Sequence, residues 1–80
     1  MNDPFVHAAS ARLASRAMEA APGDTGRVTA AYRMALGRSP TSEELEDGVR
    51  FLSDGRVRGG GALASLARVL FASNEFLTVD

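Results

Sequence analysis

The sequence contains no cysteine, and all nine of its basic residues are arginine. Without cysteine, the chain cannot form a disulfide, a thiolate metal site or a thioether-attached haem. Ten acidic residues face the nine arginines, and a net charge of −1 gives no general attraction for nucleic acid or for an anionic membrane. The absence of cysteine does not indicate the cellular compartment, because reducing and oxidising environments both tolerate a cysteine-free helical domain.

Long apolar runs are also absent. None approaches the roughly 18 consecutive residues of a membrane-spanning helix, so we predict no membrane insertion. The N-terminus lacks the basic flank and apolar run of a signal peptide, so an exported form would need its signal on a longer precursor. We predict one small helical domain over residues 1–80.

Residues 32–44 predict the end of one helix, a corner and the start of the next. Gly37 stands where a helix most often turns left-handed, and Pro40 cannot continue the preceding helix. Thr41 and Glu44 have the spacing of a capping box, in which each side chain accepts a hydrogen bond from the other residue's backbone N–H. We therefore predict that this corner organises the fold.

Apolar residues recur at helical spacing and predict four helices, over about residues 4–21, 25–36, 42–54 and 62–73. In the first helix, we expect Asp3 to be the cap. Phe5 and Leu13 are expected to be the buried anchors of an alanine-rich stripe. Either Asp24 or Thr25 is expected to cap the second helix.

The later helices have a clear apolar face. The residues expected to face the core are Val28, Ala31, Tyr32, Ala35, Leu36, Leu45, Val49, Leu52, Leu63, Leu66, Ala67, Leu70 and Phe71. Arg27 and Arg33 should point outward, and Phe51 should lie at the margin. Gly55 and Asn74 are expected to end the third and fourth helices. These elements predict an all-α fold, either a compact four-helix bundle or an orthogonal helical array.

Three separated strings, at residues 2–6, 32–41 and 73–80, resemble one family in their order and spacing. They are Asn-Asp-Pro-Phe-Val, Tyr-Arg-Met-Ala-Leu-Gly-Arg-Ser-Pro-Thr, and Ser-Asn-Glu-Phe-Leu followed by Val-Asp. They are similar to the C-terminal end of a planctomycete-specific domain of unknown function, found in exported proteins that also carry cytochrome-c-like domains. The resemblance implies that the domain at residues 1–80 is the C-terminal piece of a longer protein, and that it is an exported or periplasmic scaffolding module. Electron transfer does not carry over, because the chain lacks the Cys-x-x-Cys-His haem attachment.

Residues 32–76 also resemble a second family, the small helical domain related to phycobilisome linkers. The likeness lies in a Tyr-Arg-x-x-Leu-Gly-Arg-x-Pro string, a following helix, a glycine-containing loop and a final Ser-x-Glu-Phe. That domain occurs in bacterial extracellular and assembly proteins. This resemblance too implies a scaffolding or interaction module without an established catalytic residue.

No pattern predicts a metal, cofactor or catalytic site. His7 is the single histidine, and it has no second ligand nearby in the sequence. Nothing in the spacing selects a serine to act with it in nucleophilic catalysis. The Gly59–Gly61 run lacks the lysine and the spacing of a phosphate-binding loop. Arg50 and the 56–58 loop could form a basic spot, but without alternating aromatic residues we predict no nucleic-acid binding.

Several residues are instead assigned structural roles. They are Gly37, Arg38, Pro40, Thr41, Glu44, Asn74 and Glu75. We hypothesise that Glu75, or the Asn74 side chain, pairs with Arg38 and fixes the C-terminus across the corner; the alternative is two solvated charges. The acidic run at residues 43–47 complements the helix dipole and favours solubility.

These patterns favour a non-catalytic helical module that contacts protein, either other domains of its parent chain or further copies of itself. Burial of an alanine-rich stripe against a partner would stabilise so small a domain. The alternative is a small carbohydrate- or ligand-binding accessory module of a surface-associated enzyme. That function would require a pocket with convergent polar groups, which the sequence does not locate.

Overall fold

The computed structural model of the protein describes residues 4–54 and 61–73. These residues form four helices and no strand: α1 (Pro4–Ala20), α2 (Asp24–Leu36), α3 (Ser42–Ser53) and α4 (Gly61–Phe71). The predicted all-α fold is confirmed. The predicted helix bounds differ from the observed ones by at most two residues.

The core is built by α1, α2 and α4. Its buried apolar residues are Leu13, Ala14, Ala17, Val28, Ala31, Tyr32, Ala35, Leu63, Leu66, Ala67 and Leu70. Almost half of them are alanines, whose small side chains let helices approach closely. No Cα atom of α1 lies within 8 Å of a Cα atom of α3, whereas α2 and α4 approach all the other helices. The first and third helices therefore lie on opposite sides of the α2–α4 pair.

The third helix approaches the core through a glycine. Gly48 is the buried residue of α3, and Leu45, Val49 and Leu52 are half-buried against the core. A Cβ atom at position 48 would lie 2.7 Å from Cγ1 of Val28, closer than carbon atoms pack. A glycine inside a helix destabilises it by about 1 kcal/mol relative to alanine. Here it is needed because α2 and α3 pack too closely for a side chain.

The prediction that Phe5 anchors α1 is wrong. Leu13 is buried as predicted, but Phe5 is 73% exposed. Phe5 precedes Arg12 by seven residues and Arg16 by eleven, which places all three on one face of the helix. The buried face consists of Ser10, Leu13, Ala14 and Ala17. The core therefore includes Leu13 of the predicted stripe and leaves Phe5 at the surface.

The start of α2 also differs from the prediction. The helix begins at Asp24, one residue earlier than predicted, so neither Asp24 nor Thr25 is the N-cap. The N-cap is Gly23, and no side chain forms a capping hydrogen bond there. Arg27 is half-buried rather than outward, and its Nε donates a hydrogen bond to the carbonyl oxygen of Ala21 at 2.7 Å. This bond attaches the first turn of α2 to the end of α1.

Ser10 is a polar residue in the α1 part of the core. It is fully buried, and its hydroxyl has no hydrogen-bond partner within residues 4–54 and 61–73. A buried polar group without a partner destabilises a fold by about 1–3 kcal/mol. Since serine is nearly as small as alanine, its position on the packed face fits the close approach of α1 to its neighbours.

Helix α4 ends at Phe71, two residues earlier than predicted, and a turn through Ser73 follows it. Ser73 closes this turn, donating hydrogen bonds to the carbonyl oxygen of Leu70 from both its backbone N–H, at 3.1 Å, and its hydroxyl, at 2.8 Å. The predicted caps Asp3, Gly55 and Asn74 lie outside the described residues. None of the four described helices has both the length and the apolar composition that a membrane span requires.

Candidate functional site

The corner between α2 and α3 has the predicted backbone geometry. Gly37 has φ 74° and ψ 16°, in the left-handed region, and its N–H donates a hydrogen bond to the carbonyl oxygen of Arg33 at 3.0 Å. A glycine adopts this conformation with little strain, so it ends α2 cleanly. The chain then extends through Pro40 to Thr41, which has φ −70° and ψ 169°.

A capping box starts α3, as predicted. The hydroxyl oxygen of Thr41 accepts a hydrogen bond from the backbone N–H of Glu44 at 3.2 Å. The Glu44 carboxylate in turn accepts one from the backbone N–H of Thr41 at 2.9 Å. Two backbone donors that a helix start leaves unpaired are thereby satisfied, which fixes the direction in which α3 leaves the corner.

Arg38, which follows Gly37, connects the end of α2 to the first turn of α3. Its Nη1 and Nη2 donate to the two carboxylate oxygens of Glu44 at 2.9 and 3.1 Å, and its Nη1 also donates to the carbonyl oxygen of Ser39. The guanidinium carbon lies 5.8 Å from the ring centroid of Tyr32, within the range of a cation–π contact. The hypothesis that Glu75 or Asn74 pairs with Arg38 concerns residues outside the described ranges.

The pair with Arg38 favours the ionised form of the Glu44 carboxyl. Hydrogen bonds from the Arg38 guanidinium, and next from the Thr41 backbone N–H, lower the pKa of the Glu44 carboxyl from 4.5 to about 2. A glutamate with its ordinary pKa is already ionised at neutral pH; the lowered pKa keeps this carboxylate ionised, and therefore a hydrogen-bond acceptor, down to nearly pH 2. This charge state suits a structural ion pair.

A groove opens between α3 and α4, next to the corner. We call it the α3–α4 groove; its volume is about 230 Å³, and it is lined by Tyr32, Asp47, Gly48, Phe51, Leu66 and Val69. Phe51 and Val69 flank it and are 45% and 60% exposed. Tyr32 connects the groove to the corner, because the same ring lies under Arg38. The result is a largely apolar depression beside a fixed helix start.

A second depression lies on the α1 side of the molecule. This arginine hollow has a volume of about 380 Å³ and is lined by Ala9, Arg12, Leu13, Arg16, Met34 and Phe71. Met34 is 43% exposed, and both arginines are exposed. Neither Arg12 nor Arg16 has an ion-pair or hydrogen-bond partner among the described residues. The hollow thus combines apolar surface with two unpaired positive charges.

The family model PSD1, Protein of unknown function (DUF1553), matches residues 1–52 of the 80. The chain belongs to the DUF1553 family. No curated protein and no solved structure matches it. The matched region contains α1, α2, the corner and nearly all of α3. The predicted resemblance is therefore confirmed to the level of a small helical domain of unknown function.

The other candidate residues of this DUF1553 domain, as far as the structure describes them, do not lie together in one site. His7 is exposed, and no group of three or more potential ligands able to hold a metal occurs among the described residues. Arg50 donates to an oxygen of Asp47 at 3.2 Å, with both side chains largely exposed. The rest of the predicted basic spot and most of the glycine run lie in the undescribed 55–60 segment.

Neither the groove nor the hollow is evident from the sequence, because each combines residues from three helices. One signal was present for the hollow: Phe5, Arg12 and Arg16 share a helical face, so that face has both charge and apolar surface. For the groove, Phe51 was predicted at the margin, but its neighbour across the groove, Val69, belongs to a different helix.

Proposed function

We propose that this DUF1553 domain is a non-catalytic helical module that contacts protein through the α3–α4 groove. The observation that carries the proposal is the pair of apolar side chains, Phe51 and Val69, exposed on either side of an open depression. Burying a side chain of this kind contributes about 1.5–3 kcal/mol when the burial is complete. A bulky apolar side chain of another polypeptide segment would cover both residues at once.

The corner supports this function by fixing one wall of the groove. The capping box and the Arg38–Glu44 pair fix the start of α3, and Arg38 covers one side of the Tyr32 ring. A groove wall that is already ordered loses little conformational entropy when a partner binds. Recognition would thereby depend indirectly on the described residues that have predicted structural roles. They are Gly37, Arg38, Pro40, Thr41 and Glu44.

The composition of the groove favours protein over carbohydrate. Asp47 is the charged residue in its lining, and the other lining residues are glycine, tyrosine and apolar side chains. A carbohydrate site would need several polar groups that converge on the ligand. We further propose, from the three strings that resemble the planctomycete family, that the domain is the C-terminal part of an exported protein. The phycobilisome-linker likeness remains a prediction.

Photo-crosslinking tests the proposed function. A photoreactive phenylalanine analogue replaces Phe51 in the protein expressed in its own cells, and a matched control replaces Ala20, which is exposed but lies outside both depressions. We expect position 51 to yield adducts with a polypeptide segment, mapped by mass spectrometry, and position 20 to yield few. Equal protein adducts from both positions, or none from position 51, would contradict the proposal.

A further inference from the structure

We infer that the domain associates head to tail, with the α3 edge of one copy seated on the arginine hollow of a second copy. This inference rests on the proposed function, because it identifies the partner of the surface that contains Phe51. It joins two surfaces of the same chain that have complementary charge and matching spacing.

The first surface is the arginine hollow, which combines two positive charges with exposed apolar side chains. Arg12 and Arg16 are one helical turn apart, so their side chains project side by side from α1. Both are exposed and have no partner among the described residues. Beside them lies exposed apolar surface from Met34, and Phe5 continues the same face of α1. An acceptor for this surface needs two carboxylates about one turn apart and a large apolar side chain.

The second surface provides those groups. We call Glu43, Asp47 and Phe51 the acidic edge of α3; they follow one another at intervals of four residues and therefore form one row along the helix. Glu43 and Asp47 are exposed, and Phe51 is 45% exposed. Asp47 contacts Arg50 of its own helix, but that pair is about three-quarters exposed on both sides. Such surface pairs contribute little and exchange partners readily.

The position of the two surfaces makes the contact intermolecular. Within one copy, α1 and α3 lie on opposite sides of the α2–α4 pair, with no Cα atoms within 8 Å of each other. The acidic edge cannot reach the arginine hollow of its own chain, whereas that of a second copy can. Since the two contacting surfaces differ, a bound pair leaves one surface of each kind open, the hollow of one copy and the acidic edge of the other. A contact of this type builds rings or open chains rather than a closed two-fold dimer.

The chemistry also predicts how the association responds to salt. Its specificity comes from exposed charges, which are screened at distances beyond about 30 Å in ~0.01 M salt and beyond about 3 Å in ~1 M salt. We expect reversible self-association that strengthens with protein concentration in dilute salt and weakens in concentrated salt. An association driven by apolar surface alone would not weaken in this way.

Sedimentation velocity on charge-reversed proteins tests the inference. One variant carries Arg12→Glu and Arg16→Glu, and the other carries Glu43→Arg and Asp47→Arg. Each alone brings like charges together, so we expect association to weaken at least about tenfold. Mixed in equal amounts, the two variants again present opposite charges at every contact. We expect the mixture to associate about as strongly as the natural chain.

A control variant, Glu46→Arg with Arg33→Glu, reverses two exposed charges that belong neither to the acidic edge nor to the lining of the arginine hollow, and it should associate normally. Circular dichroism of each variant establishes that it is folded. A natural chain that stays monomeric in dilute salt, or reversed variants that do not recover on mixing, would overturn the inference. If position 51 nevertheless crosslinks to a different polypeptide, the proposed function stands and only the identity of the partner is wrong.

Discussion

The third and fourth helices are nearly equal in length, 12 and 11 residues, but they contribute to the fold in different ways. The fourth helix buries three leucines and two alanines, Ala62, Leu63, Leu66, Ala67 and Leu70. The buried residue of the third is a glycine, and its apolar side chains are only half-buried or exposed. The fourth helix is thus fixed by packing. The third is fixed by the corner before it and by a close backbone contact with α2.

Because of this difference, α4 contributes mainly to stability, whereas α3 has side chains left over for the proposed recognition. A helix fixed by its first turn, by a glycine contact and by three half-buried apolar side chains does not need every large side chain for the core. Phe51 and the acidic residues Glu43 and Asp47 are therefore left at the surface, where a partner can reach them. The leucines of α4 have no such freedom. The comparison predicts that substitutions in the two helices will have unequal effects.

The largest expected effect is the loss of a leucine from α4. Leu63 is 1% exposed, and truncating a buried leucine to alanine destabilises a protein by about 2–5 kcal/mol. A domain of this size has a margin of roughly 3–5 kcal/mol, so Leu63→Ala should remove most or all of it. The matched change in α3, Leu45→Ala, removes a half-buried side chain and should lower the free energy of unfolding by about 1 kcal/mol. Urea unfolding followed by circular dichroism measures both, and equal losses would contradict the comparison.

The second effect concerns the glycine contact. Gly48→Ala gains about 1 kcal/mol of helix propensity, but its Cβ would lie 2.7 Å from Cγ1 of the fully buried Val28. A valine in a helix is confined to one main rotamer, so it cannot move aside easily. We expect a net destabilisation of about 1–3 kcal/mol, measured by urea unfolding.

A double-mutant cycle identifies the cause of that loss. In a Val28→Ala background the space beside position 48 is open, so Gly48→Ala should become neutral or stabilising by up to about 1 kcal/mol. The control Gly37→Ala meets nothing within 4 Å and tests the left-handed backbone alone. If Gly48→Ala destabilises both backgrounds equally, the contact with Val28 is not what requires a glycine.

The sequence predicts the corner better than the α2–α3 contact because the corner is local. Gly37, Thr41 and Glu44 act on backbone groups within a few residues, so their types and spacing are sufficient to predict the geometry. The contact between Gly48 and Val28 depends on how two helices cross, which no short pattern encodes. The sequence showed only a glycine in the middle of a helix.

The candidate site was less predictable than the fold for the same reason. Arg38 was predicted to act across the corner, but its described partner is Glu44, which had been assigned only to the capping box. Phe5 was expected in the core because it is large and apolar, yet its helical face is shared with two arginines. Hydrophobicity predicts that a residue can be buried, whereas the neighbouring helices decide which face is.

The smallest expected effect concerns the ion pair at the corner. Glu44→Gln keeps a side-chain acceptor for the Thr41 N–H but removes the charge that pairs with Arg38. Both partners are about one-third exposed, so solvent screening limits the expected loss to about 1 kcal/mol at neutral pH.

The pH dependence of that loss is its sharpest test. Because the folded-state pKa of Glu44 is lowered to about 2, the charged pair stabilises the fold fully above the ordinary value of 4.5, and this stability is lost as the pH falls towards 2. The difference in unfolding free energy between the natural chain and Glu44→Gln should therefore shrink between pH 4.5 and 2, since the other carboxyls titrate in both proteins. Glu43→Gln removes a carboxylate from the same turn outside the Arg38 pair and should have an effect of only a few tenths of a kcal/mol. A Glu44→Gln difference that stays constant down to pH 2 would mean that α3 is held by its capping box and Gly48 alone.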